Sequence, residues 1–143
     1  MMHAILTDTI EHSFMTPPAL LEQLARTYSL DLVVMFGSRS RGHARGDSDT
    51  DIAVRGLREL SREEELTLAT ELDRLYPNVD LCDLRKASPL LLGAIGQDAQ
   101  LLYQRREGLF EEFKIFAWNQ YMDFKPQLDR MRERTKQEIE ELK

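Results

Sequence analysis

A chain of 143 residues, 42% of them hydrophobic, is long enough to form one domain with a buried core. Its formal net charge of −6 argues against general nucleic-acid binding, which needs a basic surface. No apolar run reaches the roughly 18–20 residues of a membrane span, so no membrane partner is expected. The single cysteine, Cys82, excludes an internal disulfide and fits a reducing cytoplasm, where we expect the protein to act.

The first part of the chain predicts one helix and two strands. Residues 16–28 place leucines at helical spacing, with Thr16 as the cap and Pro17 at the first helical position. Residues 30–36, LDLVVMF, form a short apolar run typical of a buried strand. Residues 49–56, DTDIAVRG, predict a second strand that can pair with the first as a long-looped hairpin.

The middle of the chain predicts a helix followed by a third strand. Residues 61–76 begin with a capping box, in which Ser61 is the N-cap and Glu64 stands three residues later. We expect Pro77 to end this helix. Residues 78–84, NVDLCDL, predict the third strand.

The last part of the chain predicts a short helix, a strand and a long helix. Ser88 and Pro89 open the short helix, which we expect a glycine to close. Residues 99–105 predict a fourth strand. From about Glu107 the pattern is helical to the end, with Pro126 marking a kink or a break.

These elements predict an α+β fold, a small mixed β-sheet flanked by helices with a C-terminal helical extension. We expect residues 1–106 to form the domain. Residues 107–143 would form the extension, which packs on the domain or on a partner.

The stretch between the first two strands, FGSRSRGHARGDSDTD, is dense in glycine, arginine and aspartate. Gly37 and Ser38 are followed by ten residues and then by Asp49 and Asp51. Because strand side chains alternate between faces, the two aspartates point the same way. Adjacent carboxylates repel each other, and a divalent cation such as Mg²⁺ can offset that repulsion.

A third carboxylate comes from the third strand, where two aspartates compete. Alternation places Asp80 and Asp83 on opposite faces, so only one of them can face the site. We favour Asp80 because it lies near the start of its strand, as Asp49 and Asp51 do. Three carboxylates could hold two Mg²⁺ ions and support an in-line phosphoryl or nucleotidyl displacement.

The glycine-serine turn supplies the other half of the predicted site. Backbone N–H groups at Gly37 and the hydroxyl of Ser38 can hold a triphosphate. The arginines of the loop, of which Arg39 and Arg41 come first and Arg45 follows, can neutralise phosphate charge, although we expect only one or two to do so.

The glycine-serine pair, ten residues and then DTD resemble the signature of the nucleotidyltransferase superfamily that includes DNA polymerase beta. The phenylalanine before GS, together with GSRSRG and SDTDIAV, is similar to its small members, the minimal nucleotidyltransferases (MNT). The resemblance runs from the first helix to about Arg105. It implies Mg²⁺-dependent transfer of a nucleoside monophosphate from ATP with release of pyrophosphate.

The resemblance also implies a role for each matching residue. Gly37 and Ser38 would bind the triphosphate, and Asp49 and Asp51 would bind metal. Asp80 would be the third carboxylate and the general base for the incoming hydroxyl.

MNT proteins of this size are similar to the antitoxins of HEPN–MNT toxin–antitoxin pairs. That likeness implies transfer of AMP to a tyrosine hydroxyl of a partner HEPN ribonuclease. The short chain has no obvious second substrate-binding domain, which favours a protein acceptor. Two alternatives stay open: a transferase acting on a small hydroxylated molecule, and a non-catalytic antitoxin that only binds its partner.

Overall fold

The computed structural model of the protein describes residues 17–37 and 49–143. Helices and strands follow one another there in the predicted order, and the predicted α+β class is confirmed. In chain order the elements are α1 (Ala19–Thr27), β1 (Leu30–Phe36), β2 (Thr50–Gly56), α2 (Arg62–Leu72), β3 (Val79–Asp83), α3 (Pro89–Asp98), β4 (Gln100–Gln104) and α4 (Leu109–Glu141).

The four strands form one mixed sheet in the order β3-β2-β1-β4. Strand β1 runs antiparallel to both β2 and β4, whereas β2 and β3 are parallel. The predicted hairpin pairing of β1 with β2 is confirmed, with Leu30 opposite Gly56 and Phe36 opposite Asp51. Strand β2 is therefore hydrogen-bonded on both sides and holds the centre of the sheet together.

Helices cover both faces of this sheet, which explains why residues 32–34 of β1 and 52–54 of β2 are apolar and buried. Side chains such as Ile52 and Val54 pack with α1 and α2 on one face. Ala53 points the other way and packs with α3 and α4. The two faces of β2 thus belong to two separate hydrophobic clusters.

Two predicted helix caps are confirmed. The Ser61 hydroxyl accepts a hydrogen bond from the Glu64 backbone N–H at 3.1 Å, and the Glu64 carboxylate accepts one from the Ser61 N–H at 2.9 Å. The Ser88 hydroxyl accepts from the Leu91 N–H and caps α3. Both helices begin where the sequence places them, because these bonds satisfy N–H groups that a helix leaves unpaired.

Helix ends were predicted less well. Helix α1 begins at Ala19 rather than at Pro17, and Thr16 lies outside the described residues. Helix α2 ends at Leu72, well before Pro77, and Asp73 then accepts a hydrogen bond from the Val79 N–H at 2.8 Å. That bond joins the turn after α2 to the start of β3. Residues 73–76, which were predicted to be helical, therefore belong to this turn.

Glycine does not close α3, contrary to the prediction. The helix continues through Gly93 and Gly96 to Asp98. A Cβ atom on Gly93 would lie 2.7 Å from ring carbons of Tyr121, and one on Gly96 would lie 3.1 Å from the Cβ of Ala117. The glycines therefore allow α3 and α4 to approach closely, and this packing outweighs their low helix propensity.

Helix α4 runs unbroken through Pro126, so a break at this residue is the wrong alternative. Proline removes one backbone hydrogen bond from a helix. Buried residues lie on both sides of it, Ala117 before and Leu128 after. Such packing, more than local propensity, determines whether a helix continues. Within the described part of the chain, no helix is both long and apolar enough to cross a membrane.

The close approach of α3 to α4 predicts that Gly93→Ala lowers the free energy of unfolding. The added methyl group forces Tyr121 to move, which costs about 1–3 kcal/mol, more than the gain of up to about 1 kcal/mol in helix propensity. Urea unfolding measures the change. Gly96→Ala is the control, because it makes the same change in the same helix against a single, more distant atom. A Gly93→Ala protein as stable as that control would contradict the packing.

Candidate functional site

The parallel pairing of β2 with β3 brings two of the predicted carboxylates together. Asp51 and Asp80 are register partners near the amino ends of these strands and share one face of the sheet. Asp49 immediately precedes β2 and is exposed. Asp80 is also exposed, whereas Asp51 is half-buried. All three side chains therefore lie at the end of the sheet where β1 meets the loop to β2.

Thr50 fixes the direction in which the side chain of Asp51 points. It is fully buried, and its hydroxyl donates a hydrogen bond to the Pro77 carbonyl at 2.6 Å. Its backbone N–H donates to the Asn78 carbonyl at 3.0 Å. Because Thr50 points to the face of α1 and α2, alternation within β2 directs Asp51 to the opposite face.

Asp83, the rival third carboxylate, is engaged elsewhere. It is buried, and its carboxylate accepts hydrogen bonds from the Leu60 N–H at 2.8 Å and from the Arg85 N–H at 2.9 Å. These bonds hold the segment before α2 against the end of β3. Asp83 is thus a structural residue, and Asp80 is the aspartate of β3 that lies beside Asp51.

Like charges and burial disfavour the ionised form of Asp51. Burial raises the pKa of its carboxyl first, and the neighbouring carboxylates of Asp80 and Asp49 raise it further. Nearby cations would reverse this effect. An all-carboxylate donor set suits a hard divalent ion such as Mg²⁺.

The described residues do not form a complete metal site by themselves. Within residues 17–37 and 49–143, no three acidic, histidine or cysteine side chains are gathered closely enough to hold a metal ion. Asp51 and Asp80 are brought together, but the third carboxylate does not converge with them. The predicted three-carboxylate metal site stays a prediction.

Gly37 lies against Asp51 at the end of β1. Its φ of +75° is one that glycine adopts readily and other residues rarely do. A Cβ atom there would collide with Oδ2 of Asp51. Any other residue at this position would therefore push the Asp51 carboxylate away. This contact explains why the position requires glycine, and it was not predicted from the sequence.

Gly37 is the one predicted triphosphate contact that the structure describes, and the others lie outside the described residues. They are Ser38, Arg39 and Arg41, and Arg45 of the same loop also lies there. Their roles stay predictions.

Cys82 lies two residues after Asp80 on the same face, but its chemistry excludes it as a nucleophile. Burial, followed by the charges of Asp83 and Asp80, raises the pKa of its thiol to about 11. The thiol is therefore protonated at neutral pH, and only a thiolate attacks readily. Cys82 instead packs against the cluster under α3 and α4.

The glycine turn, the paired aspartates and the mixed sheet define a nucleotidyltransferase domain. The family model described as polymerase beta nucleotidyltransferase matches residues 20–108, which is more than half of the chain. The chain belongs to this family. The resemblance to the minimal nucleotidyltransferases and their antitoxin members is confirmed by the relatives described next.

Over 89 residues the chain is 35% identical to the protein adenylyltransferase MntA of Shewanella oneidensis. The match covers 62% of this chain and 61% of that protein, just under two thirds of its length.

Two solved structures share the fold over most of the chain. One is a toxin–antitoxin complex with AMP-PNP, in which the similar chain has a TM-score of 0.71 and 27% identity over 81% of this chain and 95% of that one. The other is the tri-AMPylated HEPN toxin of Shewanella oneidensis in complex with an MNT antitoxin. Its similar chain has a TM-score of 0.65 and 25% identity over 80% of this chain and 92% of that one.

The raised pKa of Asp51 predicts that Asp51→Asn raises the melting temperature in metal-free buffer. A carboxyl whose folded pKa lies above its unfolded value of about 3.8 stabilises the protein most at low pH. This contribution falls as the pH rises through the folded pKa. The advantage of Asp51→Asn over the wild type should therefore grow between about pH 4 and pH 7.

Melting curves in EDTA across this pH range measure the effect. Asp123→Asn, which removes the same charge from an exposed position of α4, is the matched control. An advantage of Asp51→Asn that shrinks with rising pH would contradict the charge arrangement.

The two aspartates of β3 should respond differently to loss of their charge. Asp83→Asn replaces one acceptor oxygen of a buried pair of hydrogen bonds with a donor, so we expect it to lower the free energy of unfolding by about 1–3 kcal/mol. Asp80→Asn changes an exposed side chain beside another carboxylate and should stay within about 0.5 kcal/mol of the wild type. Urea unfolding in EDTA compares the two. A larger loss for Asp80→Asn would reverse the assignment.

Proposed function

We propose that the protein is an antitoxin-type protein adenylyltransferase that transfers AMP from ATP to a tyrosine hydroxyl of a partner HEPN ribonuclease toxin. The observation that carries the proposal is the pairing of Asp51 with Asp80, with the Gly37 backbone against Asp51, in a chain of the nucleotidyltransferase family. Its similarity to MntA supports protein adenylylation as the reaction.

Mg²⁺ is the proposed cofactor, with two ions held by Asp49, Asp51 and Asp80. The raised pKa of Asp51 supports this, because a cation between the carboxylates would relieve the repulsion that raises it. When bound, the metal supplies positive charge next to the triphosphate.

The residues of the chain would divide the remaining work between them. The Gly37 turn, Ser38 and the side chains of Arg39 and Arg41 would hold the triphosphate of ATP. The tyrosine oxygen bonds to the α-phosphorus as the bond from that phosphorus to pyrophosphate breaks, and pyrophosphate leaves. Asp80 takes the proton of the tyrosine hydroxyl, whose unperturbed pKa near 10 makes it a weak nucleophile without a base. The exposure of Asp80 supports this role, because the acceptor must reach it from outside.

The surface of α4 supports a protein partner. Ile115, Trp118 and Met122 are spaced three and four residues apart and are all more than 40% exposed. Apolar side chains exposed together on one face of a helix mark an interaction surface more often than a solvated one. The similar chains of known structure belong to toxin–antitoxin complexes, which makes a HEPN toxin the proposed partner.

The division of the chain at residue 106 is part of this proposal. The family match ends at residue 108, next to the turn that precedes α4. We propose that residues 1–106 form the transferase domain. Residues 107–143 would pack on the domain through Phe113 and Ala117 and face the partner elsewhere. The single cysteine supports a cytoplasmic location for the reaction.

The proposal predicts AMP transfer that depends on the carboxylates. The protein is incubated with ATP, Mg²⁺ and a HEPN protein encoded beside it, and the intact masses of both chains are measured. We expect the partner to gain one or more AMP units. Asp80→Asn should slow the transfer by about 10²–10⁴-fold, the usual contribution of a general base. Asp51→Asn and excess EDTA should abolish it.

Glu63→Gln, which removes a charge from an exposed position of α2, is the control and should transfer at the wild-type rate. A partner that is neutralised but never modified would identify a binding-only antitoxin. Modification of a small hydroxylated compound in place of the partner would identify the alternative transferase. Full activity in EDTA would exclude the proposed Mg²⁺ requirement.

A further inference from the structure

A cavity lies at the end of the sheet opposite Asp51 and Asp80. Its volume is about 500 Å³, and it opens between the strand ends, the start of α3 and the first turns of α4. We call it the distal cavity. Its polar and aromatic lining includes Asp31, Arg55, Arg85, Phe113, Phe116 and Gln120.

The distal cavity is separate from the transfer site. Arg55 stands four residues after Asp51 on β2, which corresponds to about 13 Å along an extended strand. Arg85 follows the end of β3 that lies away from Asp80. A ligand in the distal cavity would therefore not overlap the carboxylates, and its binding is independent of the proposed function.

One ion pair in the cavity is already satisfied. Arg55 donates from Nε to Oδ1 of Asp31 at 3.0 Å and from Nη2 to Oδ2 at 3.3 Å. Asp31 is buried, with only 7% of its surface exposed. The two charges neutralise each other, as buried ions must.

Arg85 supplies a second guanidinium that this pair does not neutralise. Its Nε donates to the Gly56 carbonyl at 2.6 Å, which fixes the plane of the group. Within the described residues, its two Nη groups have no hydrogen-bond partner of their own. Arg85 is exposed, so a ligand can reach its guanidinium, and the formal charges of the lining residues Asp31, Arg55 and Arg85 sum to +1.

The rest of the lining is suited to an apolar group. Phe113 is fully buried and belongs to the cluster between the sheet and α4. Phe116 lies one turn further along α4 and is 48% exposed. The amide of Gln120 adds an NH2 group with two donors and a carbonyl acceptor. A ligand could thus stack an apolar body on the half-exposed Phe116 while its charged end meets Arg85.

We propose that the distal cavity binds a small organic carboxylate with an aromatic or branched aliphatic body. The volume lies within the range of about 300–1,000 Å³ that is usual for small-molecule sites. A planar carboxylate matches the paired N–H groups of a guanidinium. A single negative charge balances the cavity, whereas a doubly charged phosphate would leave excess negative charge beside Asp31.

The probe for this site is 3-phenylpropionate, and 3-phenylpropanamide is its neutral counterpart. Isothermal titration calorimetry measures binding of each to the full chain, and ¹⁵N–¹H NMR locates it. We expect the carboxylate to bind at least about tenfold more tightly than the amide, since a hydrogen bond to a charged group is worth more than a neutral one. Amide signals of Phe113, Phe116 and Gln120 should shift, and that of Asp51 should not.

Two variants test the residues that carry the proposal. Arg85→Gln should weaken binding of 3-phenylpropionate about tenfold or more, and Phe116→Ala should weaken it without removing the preference for the charged probe. Arg62→Gln, at an exposed position of α2, is the matched control and should bind like the wild type. Circular dichroism confirms that each variant is folded. Phe116 is half-exposed, so we expect Phe116→Ala to fold. It therefore tests the site even if Arg85→Gln unfolds.

Several outcomes would overturn the proposal. They are no binding of 3-phenylpropionate by the wild type, equal binding of the acid and the amide, unchanged binding by both variants, and NMR shifts confined to the end of the sheet that carries Asp51.

Discussion

The parallel pairing of β2 with β3 places Asp51 beside Asp80. The repulsion between these two carboxylates is the constraint that the rest of this end of the sheet must satisfy. Two carboxylates at neighbouring register positions oppose the pairing that holds them there. The strands must therefore be held by other interactions. The backbone pairing of the two strands and the buried hydroxyl of Thr50, which donates to the Pro77 carbonyl on the opposite face from the site, supply them. The arrangement separates residues that stabilise the sheet from residues that carry charge for chemistry.

Glycine completes this end of the sheet for a steric reason. Gly37 directly follows β1, whose last residue Phe36 is the register partner of Asp51, and a side chain on Gly37 would occupy the space of the Asp51 carboxylate. The turn and the aspartate are thus one unit, although the sequence separates them by more than a dozen residues.

One face of β2 connects two chemically different ends of the molecule. Asp51 lies at one end and Arg55 at the other, with the buried Ala53 between them. The described neighbours of Asp51 that affect its pKa are other carboxylates, whereas the charge of Arg55 is balanced by the carboxylate of Asp31. Helices α3 and α4 close the space between the two ends, which explains why the distal cavity is bounded by α4 and stays apart from the transfer site.

Local pattern in the sequence was enough to predict the order of the elements, the bounds of β1 and the capping box at Ser61. Each of these depends on spacing within a few residues or within one strand. Only the tertiary structure decided that α3 passes its glycines and that α4 passes Pro126, because packing between helices outweighs local propensity there. It also decided the separate role of Asp83 and the pairing of Asp31 with Arg55. Those depend on contacts between residues more than twenty positions apart, which periodicity does not encode.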